Sequence, residues 1–342
     1  MPRRAVVLFN LGGPDSPSAV RPFLFNLFND PSILGLPQPL RFMLARLLSA
    51  RRAVTAGENY NRIGGSSPLL ANTRAQADAL QAALGDDTRV YVAMRYWHPM
   101  SDETVAAVKA YAPDEIVLLP LYPQFSTTTT ASSHREWMRA ARAAGLDQPC
   151  RTICCHPTEP GFVTALADLI RPALAEADRY GKPRVLFSAH GLPKKVVRAG
   201  DPYQWQVEQT AAAVVRALAM PELDHVVCYQ SRVGPLEWIG PYTETELERA
   251  GRERVPLVVV PLSFVSEHSE TLVELDMDYR DRAERHGVPA YLRVPTVSTH
   301  PAFIAGLARL VTAAAALPAS VRRSETGKRL CPRQCGRCFA AP

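Results

Sequence analysis

Four strand-like segments occur twice in this 342-residue chain, in the same order. "AVVLFNLGGP" (5–14) resembles "RVLFSAHGLP" (184–193), and "VYVAMRYWHP" (90–99) resembles "HVVCYQSRVGP" (225–235). "IVLLPLYPQFS" (116–126) resembles "LVVVPLSFVS" (257–266), and "RTICCHPTEPGFVTAL" (151–166) resembles "LRVPTVSTHPAFIAGL" (292–307). Each is an apolar run closed by polar, Gly or Pro residues, the character of a strand buried on both faces of a parallel sheet. Helical patterns at Ser101–Tyr111, His134–Ala144 and Tyr203–Ala219 lie between them. The expectation is an α/β chain of two Rossmann-like halves, each a roughly four-stranded parallel sheet flanked by helices, with a cleft between them at the carboxyl ends of the strands. Boundaries are expected at 1–157 and 158–309, with a C-terminal extension at 310–342. The first half carries an insertion at about 21–70 between its first two strands.

Composition narrows the partners. With 47% hydrophobic residues both halves can bury a core. A formal net charge of +6 suits an anionic ligand or an acidic membrane surface. The positive residues are dispersed rather than gathered with aromatics, so no nucleic-acid partner is expected. The start, Met1-Pro-Arg-Arg followed by a short apolar run and a glycine turn, reads as a first strand and not as a signal peptide. No stretch approaches the ~20 apolar residues of a membrane span. A cytoplasmic location is expected, with peripheral contact at the inner membrane face. Seven cysteines, an odd number, argue against a secreted disulfide framework.

The segment "PLSFVSEHSETLVELDMDYRD" (261–281) places acidic residues at 267, 270, 274, 278 and 281, along one face of a helix. An ordinary charged helix of this kind is a solvated surface. This one follows the buried run Leu257–Leu262, so its first carboxylates stand at the ligand-facing edge of a sheet. Ser188-Ala189-His190-Gly191 ends the equivalent fifth strand. A lone strand-end histidine is usually structural, but His190, Glu270 and Glu274 at one edge offer nitrogen and oxygen donors suited to Fe²⁺. Arg95 and Tyr96 close the second strand, and Ser231 and Trp238 follow the sixth. Their concentration at strand ends points to a flat aromatic ligand with anionic groups, because arginine and hydroxyls bind carboxylates. The insertion supplies "DPSILGLPQPLRFMLARLLSARR" (30–52). Its Pro-broken apolar first half is hard to bury and reads as an exposed lip for a hydrophobic ligand or membrane surface.

"LFNLGGPDSP", "YNRIGGSSPL", "SAHGLP", "YQSRVGPLEWIGPYT" and "SEHSETLVELDMDY" together resemble the motifs of the ferrochelatases, in family order and over nearly the whole chain. The resemblance implies a chelatase-type fold and insertion of Fe²⁺ into a dicarboxylic porphyrin such as protoporphyrin. It implies essential roles for His190 and Glu270, and an acidic trail through Glu274 and Asp278 along a helix with a π-type bulge. It places propionate contacts on Arg52 and Ser67, with Tyr60 nearby, and has Trp238 and the lip grip the macrocycle.

The tail Cys331-Pro-Arg-Gln-Cys335-Gly-Arg-Cys338 is one thiol short of a four-cysteine site. It resembles the tail of those ferrochelatases that carry a [2Fe–2S] cluster with one further, internal cysteine. One animal-type internal position is Thr127 here, leaving Cys150, Cys154 and Cys155 as candidates for the fourth ligand. Cys228, within a strand, reads as a small buried hydrophobe. The rival readings are a chelatase of coproporphyrin or another metal, and a non-catalytic haem or iron carrier. A carrier needs only a fixed axial ligand, so the presence of both His190 and Glu270 favours catalysis.

Overall fold

The apolar runs are the strands. The computed structural model describes residues 2–318 and 321–340. In it, β1 (Arg4–Asn10), β2 (Thr88–Met94), β3 (Glu115–Pro120), β4 (Cys150–Cys155) and β9 (Arg322–Ser324) form one parallel sheet in the order β2-β1-β3-β4-β9. A second parallel sheet takes β5 (Arg184–His190), β6 (Asp224–Gln230), β7 (Leu257–Pro261) and β8 (Tyr291–Arg293) in the order β6-β5-β7-β8. The repeat therefore extends to topology, since the first four strands of each sheet are arranged alike. It extends to register as well. Arg4 lies opposite Thr88 and Glu115, and Arg184 opposite Asp224 and Leu257, so Asn10 and His190 end their strands at equivalent positions.

Helices cover both sheets. The first unit, Met1–Cys155 with Ala308–Lys328, holds α1 (Val20–Phe28), α2 (Gln38–Asn61), α3 (Leu69–Leu84), α4 (Ser101–Tyr111) and α5 (Thr130–Ala144). The second, His156–Leu307 with Arg329–Pro342, holds α6 (Pro160–Ala177), α7 (Lys194–Arg198), α8 (Tyr203–Leu218), α9 (Thr243–Glu253), a π-helical segment Glu270–Asp278 and α10 (Tyr279–Arg285). The last helix, α11 (Pro301–Ala315), contributes to both. Residues 310–342 thus do not stand apart as an extension. β9 covers the edge that β4 would otherwise leave unpaired, with the Thr152 amide donating to Val321, and the chain from 329 onward packs with the second unit. Among the described residues no helix is long and apolar enough to cross a membrane.

The insertion folds as α1, α2 and the turn before α3. On the inner face of α2, Ala45, Ser49, Ala53, Ala56 and Tyr60 follow the three-and-four spacing of a packed stripe. Val20, Phe23 and Leu24 of α1 join Tyr60 in one core. The opposite side of α2 carries apolar side chains that are exposed: Leu40 is 58%, Met43 68%, Leu47 55% and Val54 67% exposed. Ile33 and Leu36, in the turn before α2, are exposed too. Arg41 pins that turn by donating to the carbonyls of Asn29 (2.9 Å) and Leu36 (2.6 Å).

Replacing Leu40 and Met43 together by Ser should leave the urea midpoint nearly unchanged, within about 0.5 kcal/mol, because neither side chain is buried. Phe23→Ala, in the core beneath, should cost about 3–5 kcal/mol. Comparable losses in both variants would make the outer face part of a core.

Candidate active site

β5 lies between β6 and β7 and delivers His190 at its carboxyl end, directly after the fully buried Ser188 and Ala189. Glu270 opens the π segment after β7, and its Oε2 lies 2.9 Å from His190 Nδ1. His268 Nε2 stands 3.9 Å from the same oxygen, its ring held by an Nδ1–H bond to the Ser266 carbonyl. The His190 side chain remains 38% exposed. Glu274 is gripped by four donors: the Ser231 amide (2.9 Å), the Ser231 hydroxyl (2.5 Å), Gln230 Nε2 (3.1 Å) and the Tyr279 hydroxyl (2.9 Å). The expected trio of His190, Glu270 and Glu274 is therefore gathered at one sheet edge. Ser231 meets Glu274 with both its polar groups.

The acidic line is shorter than its spacing suggests. Glu267 precedes the helix and faces another way: Arg293 Nη1 (2.6 Å) and the Thr296 amide (3.0 Å) both donate to its Oε1. The same guanidinium holds Asp276 at two points, 2.8 and 2.5 Å, which ties the π segment to β8. Asp281 is exposed on α10. A π turn closes i→i+5 and is wider than an α turn, so residues four to five apart share a face, and Glu270, Glu274 and Asp278 keep that spacing.

Trp238 is nearly buried against Gly191. A Cβ at Gly191 would lie 2.9 Å from the Gln230 carbonyl and 3.1 Å from the Trp238 ring, so only glycine lets the strand end and the indole approach this closely. The indole N–H donates to the Val233 carbonyl at 3.0 Å.

In the first unit the expected contacts divide. Arg52 is exposed on α2. Tyr60 and Ser67 close on the glycine turn after β1, where a Cβ on Gly13 would lie 2.4 Å from Ser67 Oγ and 4.0 Å from the Tyr60 hydroxyl. Arg95 and Tyr96 have another occupation. Tyr96 is 0% exposed and donates its hydroxyl to Asp30 at 2.9 Å, while Arg95 donates to Asp30 (2.7 Å) and Ser132 (2.8 Å). Asp30 is itself 2% exposed and also accepts from Ser132, Arg135 and the Ser32 amide. Burial raises the Asp30 pKa, but the Arg95 charge and these donors outweigh it and hold the carboxyl low. This pair at the end of β2 anchors the root of the lip. Asp30 lies so far from Arg95 in sequence that no local signal joins them.

The three tail cysteines are buried together beside Trp205. Gln206 Nε2 donates to Cys331 Sγ at 3.0 Å, and Cys331 also bonds Cys338, whose pKa falls to about 6. Arg329 donates to the carbonyls of Cys331, Pro332 and Cys335, and the Arg337 amide to Gly200, so the loop is pinned at both ends. Cys154 and Cys155 are buried in β4 with sulfurs 3.2 Å apart, and burial pushes the Cys150 thiol up to about 12. Among the described residues no three His, Cys, Asp or Glu side chains converge as a ready cage for one metal ion.

Burial pulls the His190 pKa down, yet the charge and hydrogen bond of Glu270, with Glu274 behind it, outweigh this and raise it. Burial raises Glu270, and the His190 charge and hydrogen bond overcome it and hold the carboxylate far below its ordinary range. Glu274 is raised by burial and by Glu270, against the pull of its donors. The stabilisation from the pair is thus fully present below the ordinary imidazole pKa and is lost as pH rises through the raised His190 value. At the acid end it is lost only as Glu270 protonates. Nitrogen NMR of the imidazoles should find His190 titrating above an ordinary histidine, and Glu270→Gln should lower that pKa. An unmoved value would mean that the two are not coupled.

A ferrochelatase family profile matches residues 3–315. The chain is 55% identical over 312 residues to a ferrochelatase of Caulobacter vibrioides, covering 90% of this chain and 89% of that protein. It is 54% identical over 342 residues to a ferrochelatase of Phenylobacterium zucineum, covering 98% and 97%. Among solved structures, SirB from Bacillus subtilis with Fe³⁺ aligns with a TM-score of 0.56 at 12% identity, over 92% of this chain and 96% of that one, which shows a shared fold. By this profile match and these relatives, the chain belongs to the ferrochelatase family of metal chelatase enzymes.

Proposed function

We propose that this enzyme inserts Fe²⁺ into protoporphyrin, releasing two protons and forming protohaem, the last step of haem synthesis. The observation that carries the reading is the 2.9 Å pair of His190 and Glu270 at the end of β5, with Glu274 next along the π segment. A free-base porphyrin holds two weakly acidic N–H protons, so metal entry requires a proton acceptor and an anionic guide for the cation. The Glu270 charge favours the protonated form of His190. Fe²⁺ taken by Glu270 would cancel that charge, so a proton held on His190 is given up to water at its exposed side, and the neutral imidazole can then accept one from a pyrrole N–H. Glu274, with its raised pKa, is the next acceptor along the segment. Bending the ring draws on binding energy from its edge and propionates. Arg52, Ser67 and Tyr60 are the groups we assign to the propionates. Trp238 and the exposed lip are assigned to the macrocycle.

The lip is also the surface by which we place the enzyme peripherally on the inner face of the membrane, in the cytoplasm. Its exposed stripe Leu40, Met43, Leu47 and Val54 is flanked by Arg46, Arg51 and Arg52, an apolar face with a basic margin.

For the tail we infer a [2Fe–2S] cluster held by Cys331, Cys335 and Cys338. The fit rests on three thiols buried together in a loop whose carbonyls Arg329 holds. Such a cluster supplies one-electron chemistry and a structural tie, and metal insertion does not run through it. Protein purified without oxygen should be red-brown with roughly two irons per chain. Cys335→Ser should bleach it, and serine at each other cysteine identifies the fourth ligand. Zinc or no bound metal would overturn the cluster and leave the chelatase reading intact.

Turnover is tested anaerobically with Fe²⁺ and either protoporphyrin or coproporphyrin, followed by loss of free-base fluorescence. Loss with protoporphyrin supports the reading; loss with coproporphyrin alone would replace the substrate, and loss with neither would make the chain a carrier. Glu270→Gln should keep porphyrin binding and lower kcat by about 10²–10⁴-fold, the range for a positioned acid–base group. The exposed Asp281→Asn should be nearly silent, and equal mild effects at both positions would sink the role given to Glu270.

A further inference from the structure

We propose that a cavity beside α5 is an anion site that takes a phosphate group. The cavity, about 390 Å³, is lined by His134, Arg135, Met138, Arg139, Arg142 and Arg322, and by no carboxylate. Arg135, Arg139 and Arg142 recur at i, i+4 and i+7, on one face of the helix. Arg322 is brought to them by β9, which pairs with β4 at the edge of the same sheet. Outside the lining, Arg135 lies 3.3 Å from Asp30, and Arg139 lies 2.6 Å from Asp102 and 2.7 Å from Glu136. Arg142 has no carboxylate partner among the described residues.

The lining itself offers four guanidiniums and no carboxylate, a surplus of N–H donors that an anion among them would use. A single carboxylate offers two oxygens, which one fork satisfies; a phosphate presents oxygens to several forks at once. The volume is at the small end of ligand pockets and larger than a bare phosphate fills, so a phosphate ester fits better than the free ion. None of the lining residues takes part in the site around His190. The cavity also adjoins the lip. Arg135 donates to Ser32 Oγ at 2.5 Å, and Ile33 and Leu36 in the same turn are exposed. An anion site next to an exposed apolar turn suits the phosphate of an acidic phospholipid, and a soluble phosphate ester shares its chemistry.

The test compares the native chain with Arg142→Gln/Arg322→Gln. Pyrophosphate, but not chloride at equal ionic strength, should raise the native Tm and leave the variant's unchanged. By calorimetry, pyrophosphate should bind the variant roughly tenfold or more weakly for each arginine lost. Both substitutions are at exposed positions and outside the iron and porphyrin site, so turnover on dispersed porphyrin should stay native. Should the double variant not fold, Arg142→Gln alone carries the same comparison. Flotation on phosphatidylcholine vesicles with and without phosphatidylglycerol separates the sources. Loss of the phosphatidylglycerol dependence in the variant assigns the site to a head group. An unchanged dependence, with the pyrophosphate response lost, assigns it to a soluble ester. A pyrophosphate response equal in the two proteins, or absent from both, overturns the site.

Discussion

The parallel register of β5 between β6 and β7 is the constraint on which the rest of the second unit depends. Parallel strands bring their carboxyl ends to one edge, and the chain leaving each strand must begin there. His190 ends β5, Gln230 is its register partner at the end of β6, and the segment that leaves β7 carries Glu270. Adjacent strand residues face opposite sides, so a slip of one residue would exchange His190 with the fully buried Ala189. Such a slip would also carry His190 into the fully buried run Val185–Ala189. The site geometry is inherited from core packing.

This is why so much was legible in the sequence. Continuous apolar runs mark strands buried on both faces, and their repetition in order anticipated both sheets with equivalent topologies. The short strand β9 left no such mark, because three residues carry no periodicity. The acidic series was legible as a line and misread in its length. Spacing alone cannot show that Glu267 falls before the helix begins, nor that Arg293, on the following strand, claims both Glu267 and Asp276. Tyr279 gave a faint signal: it lies five residues after Glu274, the period of a π turn, and its hydroxyl bonds that carboxylate. Arg95 and Tyr96 show the opposite failure. Polar and aromatic residues at a strand end suggest a ligand whether they face one or bind a buried carboxylate such as Asp30. Only the fold distinguishes the two cases.

The π segment is irregular, and irregular helices persist where tertiary contacts impose them. Here the contacts fall on two sides. Arg293 fixes Asp276 against β8, and the end of β6 fixes Glu274 through Gln230 and Ser231. Ser231 adopts φ 63°, a left-handed conformation that costs a residue with a Cβ about 1–2 kcal/mol. In return its amide and hydroxyl both reach the carboxylate, and charge-assisted bonds of this kind are about twice as strong as neutral ones. The strain is therefore local and offset where it arises. Its effect is to hold Glu274 through four donors, while Glu270 has His190 at 2.9 Å and His268 only at 3.9 Å. Of the two carboxylates, the one that must exchange a proton partner for a cation is the one the fold leaves freer to do so.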